Sequence, residues 1–222
     1  MKIGIIGAGN IGSALATVLV ARGDEVVVSN SRGPETLADV ARETGATAVT
    51  PGEAARGRDL VIVTIPQVSV PDLPDDLFAD TPDDVVVIDT NNYYPQQRDG
   101  RIDAIENGTT ESRWVAEQLG RPNLVKAFNN IRAEHIKTHG KPAGDPERIG
   151  LPYAGDDERA NRIVAELIDS IGFEPVLSGG LDESWRQEPG TPAYATDLTP
   201  DKLREALAAA TPERSADFSV AA

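Results

Sequence analysis

The 222-residue chain contains no cysteine. That removes disulfides, thiol nucleophiles and thiolate-bound zinc together. With only two histidines, His135 and His139, a histidine-built metal centre has too few ligands, and no metal is expected. Basic side chains are scarce: 21 against 36 acidic ones, a net charge of −15. Such a chain repels phosphate backbones, which argues against a nucleic-acid partner. Small anionic ligands must then be held by helix ends and a few placed cations. There is no run of about eighteen apolar residues, so neither a spanning helix nor a membrane partner is expected. Lys2 is the only early charge and glycines soon interrupt the apolar run. Met1 therefore reads as the start of a folded strand rather than of a secretory signal, and a cytoplasmic location is expected. Hydrophobic residues make up 40% of the chain, a globular composition.

What the chain does have is concentrated at its start, MKIGIIGAGNIGSALATVLV. Ile3, Ile5 and Ile6 read as a buried strand and Ser13 to Ala21 as a helix. Between them stands Gly7-Ala8-Gly9-Asn10-Ile11-Gly12. Strand, G-x-G-x-x-G and helix in this order form the dinucleotide fingerprint. Gly7 permits the tight turn, Gly9 lets the backbone approach a pyrophosphate, and Gly12 lets the helix pack on the strand. Gly7, Gly9, Asn10, Ile11 and Gly12 are the expected pyrophosphate cradle. The second strand, Glu25 to Ser29, runs into Asn30-Ser31-Arg32-Gly33 with no carboxylate. An acidic residue here would accept from the 2′-hydroxyl of NAD; Asn30, Ser31 and Arg32 instead suit the 2′-phosphate of NADP. An ordinary polar turn ahead of a helix at Pro34 to Thr44 would use the same residues.

Further on, Leu60 to Ile65 and Val85 to Asp89 are continuous apolar runs, as in strands buried on both faces. Their ends, Ile65-Pro66-Gln67 and Thr90-Asn91-Asn92, belong at the carboxyl edge of a parallel sheet, where ligands sit. Ile65, Pro66 and Asn91 are the expected nicotinamide-side contacts. Pro66 to Asp84 holds four prolines and six aspartates, too broken for more than a short helix near Asp75 to Phe78. Ala48 to Thr50 is a candidate short strand and Asn123 to Phe128 a further one. Gly150 to Ala154, Asp156 to Ile171 and Phe173 to Leu177 read as strand, helix and strand. Thr199 to Ala210 is a last, alanine-rich helix with Thr199 as its cap, and the final ten residues read as frayed. His135 and His139, four apart, read as helix-surface residues. The alternation predicts an α/β fold: a Rossmann-type, doubly wound, mostly parallel sheet of seven or eight strands. Residues 1–181 form the nucleotide-binding domain. Residues 182–222 form a loop and helix that pack on it or on a second subunit, so a homodimer is expected.

Several segments together resemble one family. GIIGAGNIGSALA, the NSR turn, VIVTIP, VIDTNNYYP, KAFNNI and the unit from Leu151 to Leu177 are similar to the NADPH-dependent coenzyme F420 reductases and their bacterial dinucleotide-binding relatives. They are similar, too, to the reductase domains of the STEAP metalloreductases. The resemblance implies an oxidoreductase passing a hydride between NADP(H) and a flavin or deazaflavin: coenzyme F420, FMN or FAD. It places Asn30, Ser31 and Arg32 at the 2′-phosphate, Ile65 and Pro66 at the nicotinamide, and Ala127 to Ile131 along the acceptor. Asn129 and Ile131 are the acceptor-side candidates, with no certain catalytic residue. Asn129 stands where the archaeal enzymes carry histidine, and Arg132 where they carry proline. Arg132 and Arg186 are candidates for an anionic acceptor tail. Two other readings fit the same residues: an NADP-dependent reductase of a small carbonyl or imine compound, and a module that binds NADP(H) without turnover.

Overall fold

A computed structural model describes residues 1–220. The chain alternates through β1 (Lys2–Ile6), α1 (Asn10–Arg22), β2 (Glu25–Ser29), α2 (Ala38–Thr44), β3 (Thr47–Ala48), α3 (Pro51–Ala55) and β4 (Leu60–Val63). It continues through β5 (Val86–Asp89), α4 (Asp103–Glu106), α5 (Glu111–Leu119), β6 (Val125–Ala127), α6 (Ala133–Thr138), β7 (Gly150–Gly155), α7 (Glu158–Ser170), β8 (Glu174–Gly179) and α8 (Pro200–Ala209). The strands form one eight-stranded sheet in the order β3-β2-β1-β4-β5-β6-β7-β8. Every neighbouring pair is parallel except β6 and β7. This is the expected Rossmann-type sheet.

The β4 run shows why continuous apolar sequence makes an inner strand. Leu60 and Ile62 enter one hydrophobic cluster, and Val61 and Val63 enter the other, on the opposite face. Each face of the sheet thus has its own core. The first includes Leu15 and Leu19 of α1, Ile136 of α6 and Val164 and Ile168 of α7. The second includes Trp114 and Val115 of α5. The order reverses at β1, with β2 on one side and β4 on the other. A crevice opens at the carboxyl ends of strands where the order reverses.

Several local expectations change. The stretch Pro34 to Thr44 is a 3-10 turn (Pro34–Leu37) followed by α2. β3 ends at Ala48 because Thr50 is drawn into a reciprocal cap with Glu53 at the start of α3. No helix forms at Asp75 to Phe78; a 3-10 turn over Gln67–Asp72 precedes it instead. Thr199 precedes α8 without a side-chain capping bond. The C-terminal stretch is tied down. Arg214 bonds Glu111 and Glu188, Phe218 packs against Tyr94, and Gln96 donates to the carbonyls of Ala216 and Ser219. Leu203 and Leu207 of α8 pack with Val176 and Ala193, so the alanine-rich helix has its apolar partner within the chain. Among the described residues no helix is long and apolar enough to cross a membrane, and no group of three or more potential ligands could hold a metal.

Candidate functional site: a cleft at the switch point

The glycine turn follows from backbone space. Gly7 has φ +114°, and a Cβ there would stand 2.1 Å from the Thr64 carbonyl oxygen. A Cβ on Gly12 would stand 2.0 Å from the carbonyl oxygen of Gly7. Both positions are closed by the protein's own backbone. Gly9 differs: a Cβ there would meet nothing within 4 Å. Its open side is available to a ligand. Gly9 is also the N-cap of α1, which has no side-chain cap and no acidic residue in its first turn. Free amide N–H groups and the helix dipole at this end suit a pyrophosphate.

A cleft of about 550 Å³ opens beside it, at the carboxyl ends of the central strands. Gly9, Asn10 and Ile11 line one wall; Ile65, Pro66 and Asn91 line it after β4 and β5; Asn129, Ile131 and Arg132 line it after β6. Of the expected site residues, these therefore come together. Gly7 and Gly12 lie behind the wall, and Asn30, Ser31 and Arg32 lie outside the cleft, at the end of β2. A second groove of about 560 Å³ runs among α1, α6 and α7; its cations Arg22, Lys141 and Arg148 are paired with carboxylates, and Lys137 is exposed on its rim.

At the end of β2, Asn30 organises the turn. Its Oδ1 accepts from the Arg32 amide at 2.9 Å, and its Nδ2 donates to Thr36 Oγ1 at 2.9 Å. Ser31 and Arg32 are exposed, and the Arg32 guanidinium has no carboxylate partner among the described residues. Glu35 was outside the sequence argument, yet its carboxylate folds back on this turn: Oε1 would lie 2.5 Å from a Cβ on Gly33.

Asn91 is held from three sides. Its Oδ1 accepts from the Ile65 amide at 3.1 Å, its amide donates to Asp89 Oδ1 at 3.0 Å, and its carbonyl accepts from Lys126 Nζ at 3.1 Å. Its Nδ2 is buried without a partner, a donor left over on the lining of the cleft. Buried donors are normally satisfied, so this atom fits a ligand carboxamide or ribose oxygen. Asn129 is the opposite case. Its Nδ2 donates to Asn92 Oδ1 at 3.0 Å and to the Gln187 carbonyl at 2.7 Å, and its Oδ1 accepts from Gln187 Nε2 at 2.9 Å. It ties the wall of the cleft together. Before it, Phe128 adopts φ +62°, uncommon for a residue with a side chain. Tyr94 and Tyr194 join through their hydroxyls on the lining, and Arg98 lies 5.2 Å over the Tyr94 ring. Burial, and then the bond to Tyr94, push the Tyr194 phenol well above its ordinary value.

Sequence reading missed the polar group behind Asn91. Asp89, Glu111 and Lys126 are fully buried. Lys126 Nζ lies 3.3 Å from Glu111 Oε2, Ser112 donates to Asp89 at 2.5 Å, and Arg214 bonds Glu111 and Glu188 at 2.9 and 2.5 Å. Burial penalises the Lys126 charge, but Glu111, Asp89 and Glu188 together outweigh it and raise the ammonium. Burial raises the Asp89 carboxyl against the pull of Lys126. The one available signal was a lysine inside an otherwise apolar strand, LVKAF. One other expectation is corrected. Arg186 stacks on Trp185 at 4.4 Å and bonds the Leu207 carbonyl and Glu183, away from the cleft. His135 and His139 stand at the surface of α6 and its C-cap, as expected; His135 pairs with Asp197 at 2.5 Å and its ring stands 4.2 Å from that of His139.

Sheet order, glycine turn and cleft define a Rossmann-type dinucleotide-binding domain. Residues 2–93 match the model of the family described as NADP oxidoreductase, coenzyme F420-dependent. It is similar to hypothetical protein SMa0349 from Sinorhizobium meliloti, at 33% identity and TM-score 0.75, covering 90% of this chain and 95% of that one. A provisionally named F420-dependent NADP reductase from Arthrobacter sp. FB24 shares the fold, with 20% identity, TM-score 0.66 and coverage of 83% and 87%. Rat metalloreductase STEAP3 is 27% identical over 180 residues, 81% of this chain and 34% of its own. The Escherichia coli protein YjhV is 43% identical over 56 residues, 25% of this chain and 41% of its own. The chain spans less than half the length of these two curated relatives.

Proposed function

We propose that the chain binds NADP(H) along the carboxyl edge of β2, β1, β4 and β5 and passes a hydride between it and a flavin or deazaflavin such as FMN, FAD or coenzyme F420. Gly9 and the start of α1 would hold the pyrophosphate, Arg32 and Ser31 the 2′-phosphate, and Ile65, Pro66 and Asn91 Nδ2 the nicotinamide end. The nicotinamide, when bound, supplies the hydride. The carrying observation is the chemistry of the lining: it contains no carboxylate, histidine or lysine, and its phenols, Tyr94 and Tyr194, are joined to each other. A wall without a carboxylate, histidine or lysine suits transfer between two cofactors, where the protein supplies distance and polarity. Reduction of an alcohol- or amine-forming substrate needs a positioned proton donor. A carbonyl or imine acceptor is the second reading, supported only by the Tyr194 hydroxyl.

The test is anaerobic oxidation of NADPH with FMN, FAD and coenzyme F420 in turn. Turnover with one of these supports the proposal. NADPH binding without turnover on any acceptor, small imines included, would leave a binding module. A cytoplasmic homodimer completes the proposal, the dimer being tested by the molar mass that light scattering reads at several concentrations.

A further inference from the structure

The chain carries 36 acidic side chains, yet none lines the cleft, whose charged lining residues are Arg98 and Arg132. In a molecule of net charge −15 this is a local reversal of sign. A cleft lined by one sign of charge concentrates ligands of the other. The anionic parts of NADP(H) have provision elsewhere: the uncapped start of α1 at Gly9 and the exposed Arg32 beyond β2. Arg98 stands on the segment that follows β5, and Arg132 on the segment that follows β6 and leads into α6, the helix packed beside α1.

They are not equivalent. Arg98 donates to the Asn92 carbonyl at 2.8 Å and pairs with buried Asp99 at 3.1 Å, so much of its charge is spent on the wall. Arg132 is exposed at the mouth and has no carboxylate partner among the described residues, whereas Arg22, Arg113, Arg148 and Arg214 all do. A guanidinium left free on a lining without carboxylates is equipped for a bidentate grip on a phosphate or carboxylate.

We infer that Arg132 is the anchor for an anionic group, a phosphate or carboxylate, on the hydride acceptor. The ligand class is therefore a redox ring that carries its negative charge on a side arm. The inference rests on the proposed hydride transfer and adds which acceptors are preferred.

FMN and riboflavin differ by one phosphate, and their fluorescence reports binding without turnover. With the NADP⁺-loaded protein, FMN is expected to bind about tenfold tighter than riboflavin, the scale of one charge-assisted contact. Arg132→Gln is expected to abolish that difference and to leave NADPH affinity within about twofold. Inorganic phosphate, followed calorimetrically on the same loaded protein, is the second probe. If no flavin binds but phosphate binds and Arg132→Gln removes it, the anion site stands and the flavin reading falls. If FMN and riboflavin bind equally and the variant changes neither, the flavin reading stands and the inference is overturned. It is overturned as well if Arg132→Gln weakens NADPH instead of FMN, which would give Arg132 to the dinucleotide, or if neither FMN nor phosphate shows binding that depends on Arg132.

Discussion

Lys126 Nζ stands 3.3 Å from Glu111 Oε2, with both side chains fully buried, and the same ammonium donates to the Asn91 carbonyl at 3.1 Å. The pair thus joins the interior of the sheet to the wall of the cleft. Removing one partner of a buried pair strands the other charge. Lys126→Met is expected to cost about 3–5 kcal/mol in urea unfolding, because Glu111 and Asp89 lose their shared counter-ion. Pairing it with Glu111→Leu should recover much of that loss. If the single variant unfolds at the wild-type urea concentration, the pair contributes little.

Glu188 gives this network a pH dependence. Burial, reinforced by the charge of Glu111, pushes its carboxyl from 4.5 up to about 7, against the attraction of Arg214 and Lys126. Between those values the folded chain holds a proton that the unfolded chain has released. Stability from this group is therefore greatest at low pH and falls as pH rises from about 4.5 to about 7. Glu188→Gln does not titrate, so its stability is expected to fall less across that window. Thermal melts at half-unit pH steps compare the two slopes; equal slopes would show that Glu188 titrates in its ordinary range.

What the sequence made legible follows a physical divide. The glycine turn and the β4 run were readable because the constraint is local: neighbours in the chain are neighbours in space. Residues 60–63 declare a two-faced strand by themselves. The polar group was not readable, because Arg214 reaches Glu111 across 103 residues and Glu188 enters from the loop before α8. The site was legible in part for the same reason. Gly9 was placed by the glycine fingerprint, Asn91 by its strand end and Ile131 by the family resemblance, but the bracing bonds of Asn129 were hidden because its partners Asn92 and Gln187 are distant in sequence.

The three glycines of the turn are expected to separate fold from ligand. Gly12→Ala drives a methyl to within 2.0 Å of the Gly7 carbonyl oxygen, and overpacking of that severity should cost about 3 kcal/mol or more. Gly9→Ala meets nothing within 4 Å, so its melting temperature should barely move. The methyl would occupy the space assigned to the pyrophosphate, and NADPH affinity should fall by about tenfold or more. A Gly9→Ala protein that melts normally and binds NADPH normally would remove the pyrophosphate from this turn.

Two charges of opposite sign meet at the end of β2. The exposed Arg32 has no carboxylate partner among the described residues, while the Glu35 carboxylate folds over Gly33. If this turn receives a 2′-phosphate, the two side chains act on it in opposite directions. Arg32→Ala removes a charge-assisted contact and should weaken NADPH about tenfold or more while leaving NADH within about twofold. Glu35→Gln removes a repulsion across a solvated gap, a smaller effect because water and salt screen it. It should tighten NADPH by a few fold, again with little change for NADH. Fluorescence titrations of both nucleotides at low and high salt test the pair, and the NADPH gain in Glu35→Gln should shrink as salt rises. Equal losses of NADPH and NADH in Arg32→Ala would mean that Arg32 touches a part common to both, and the choice of NADP would then have to lie elsewhere in the turn.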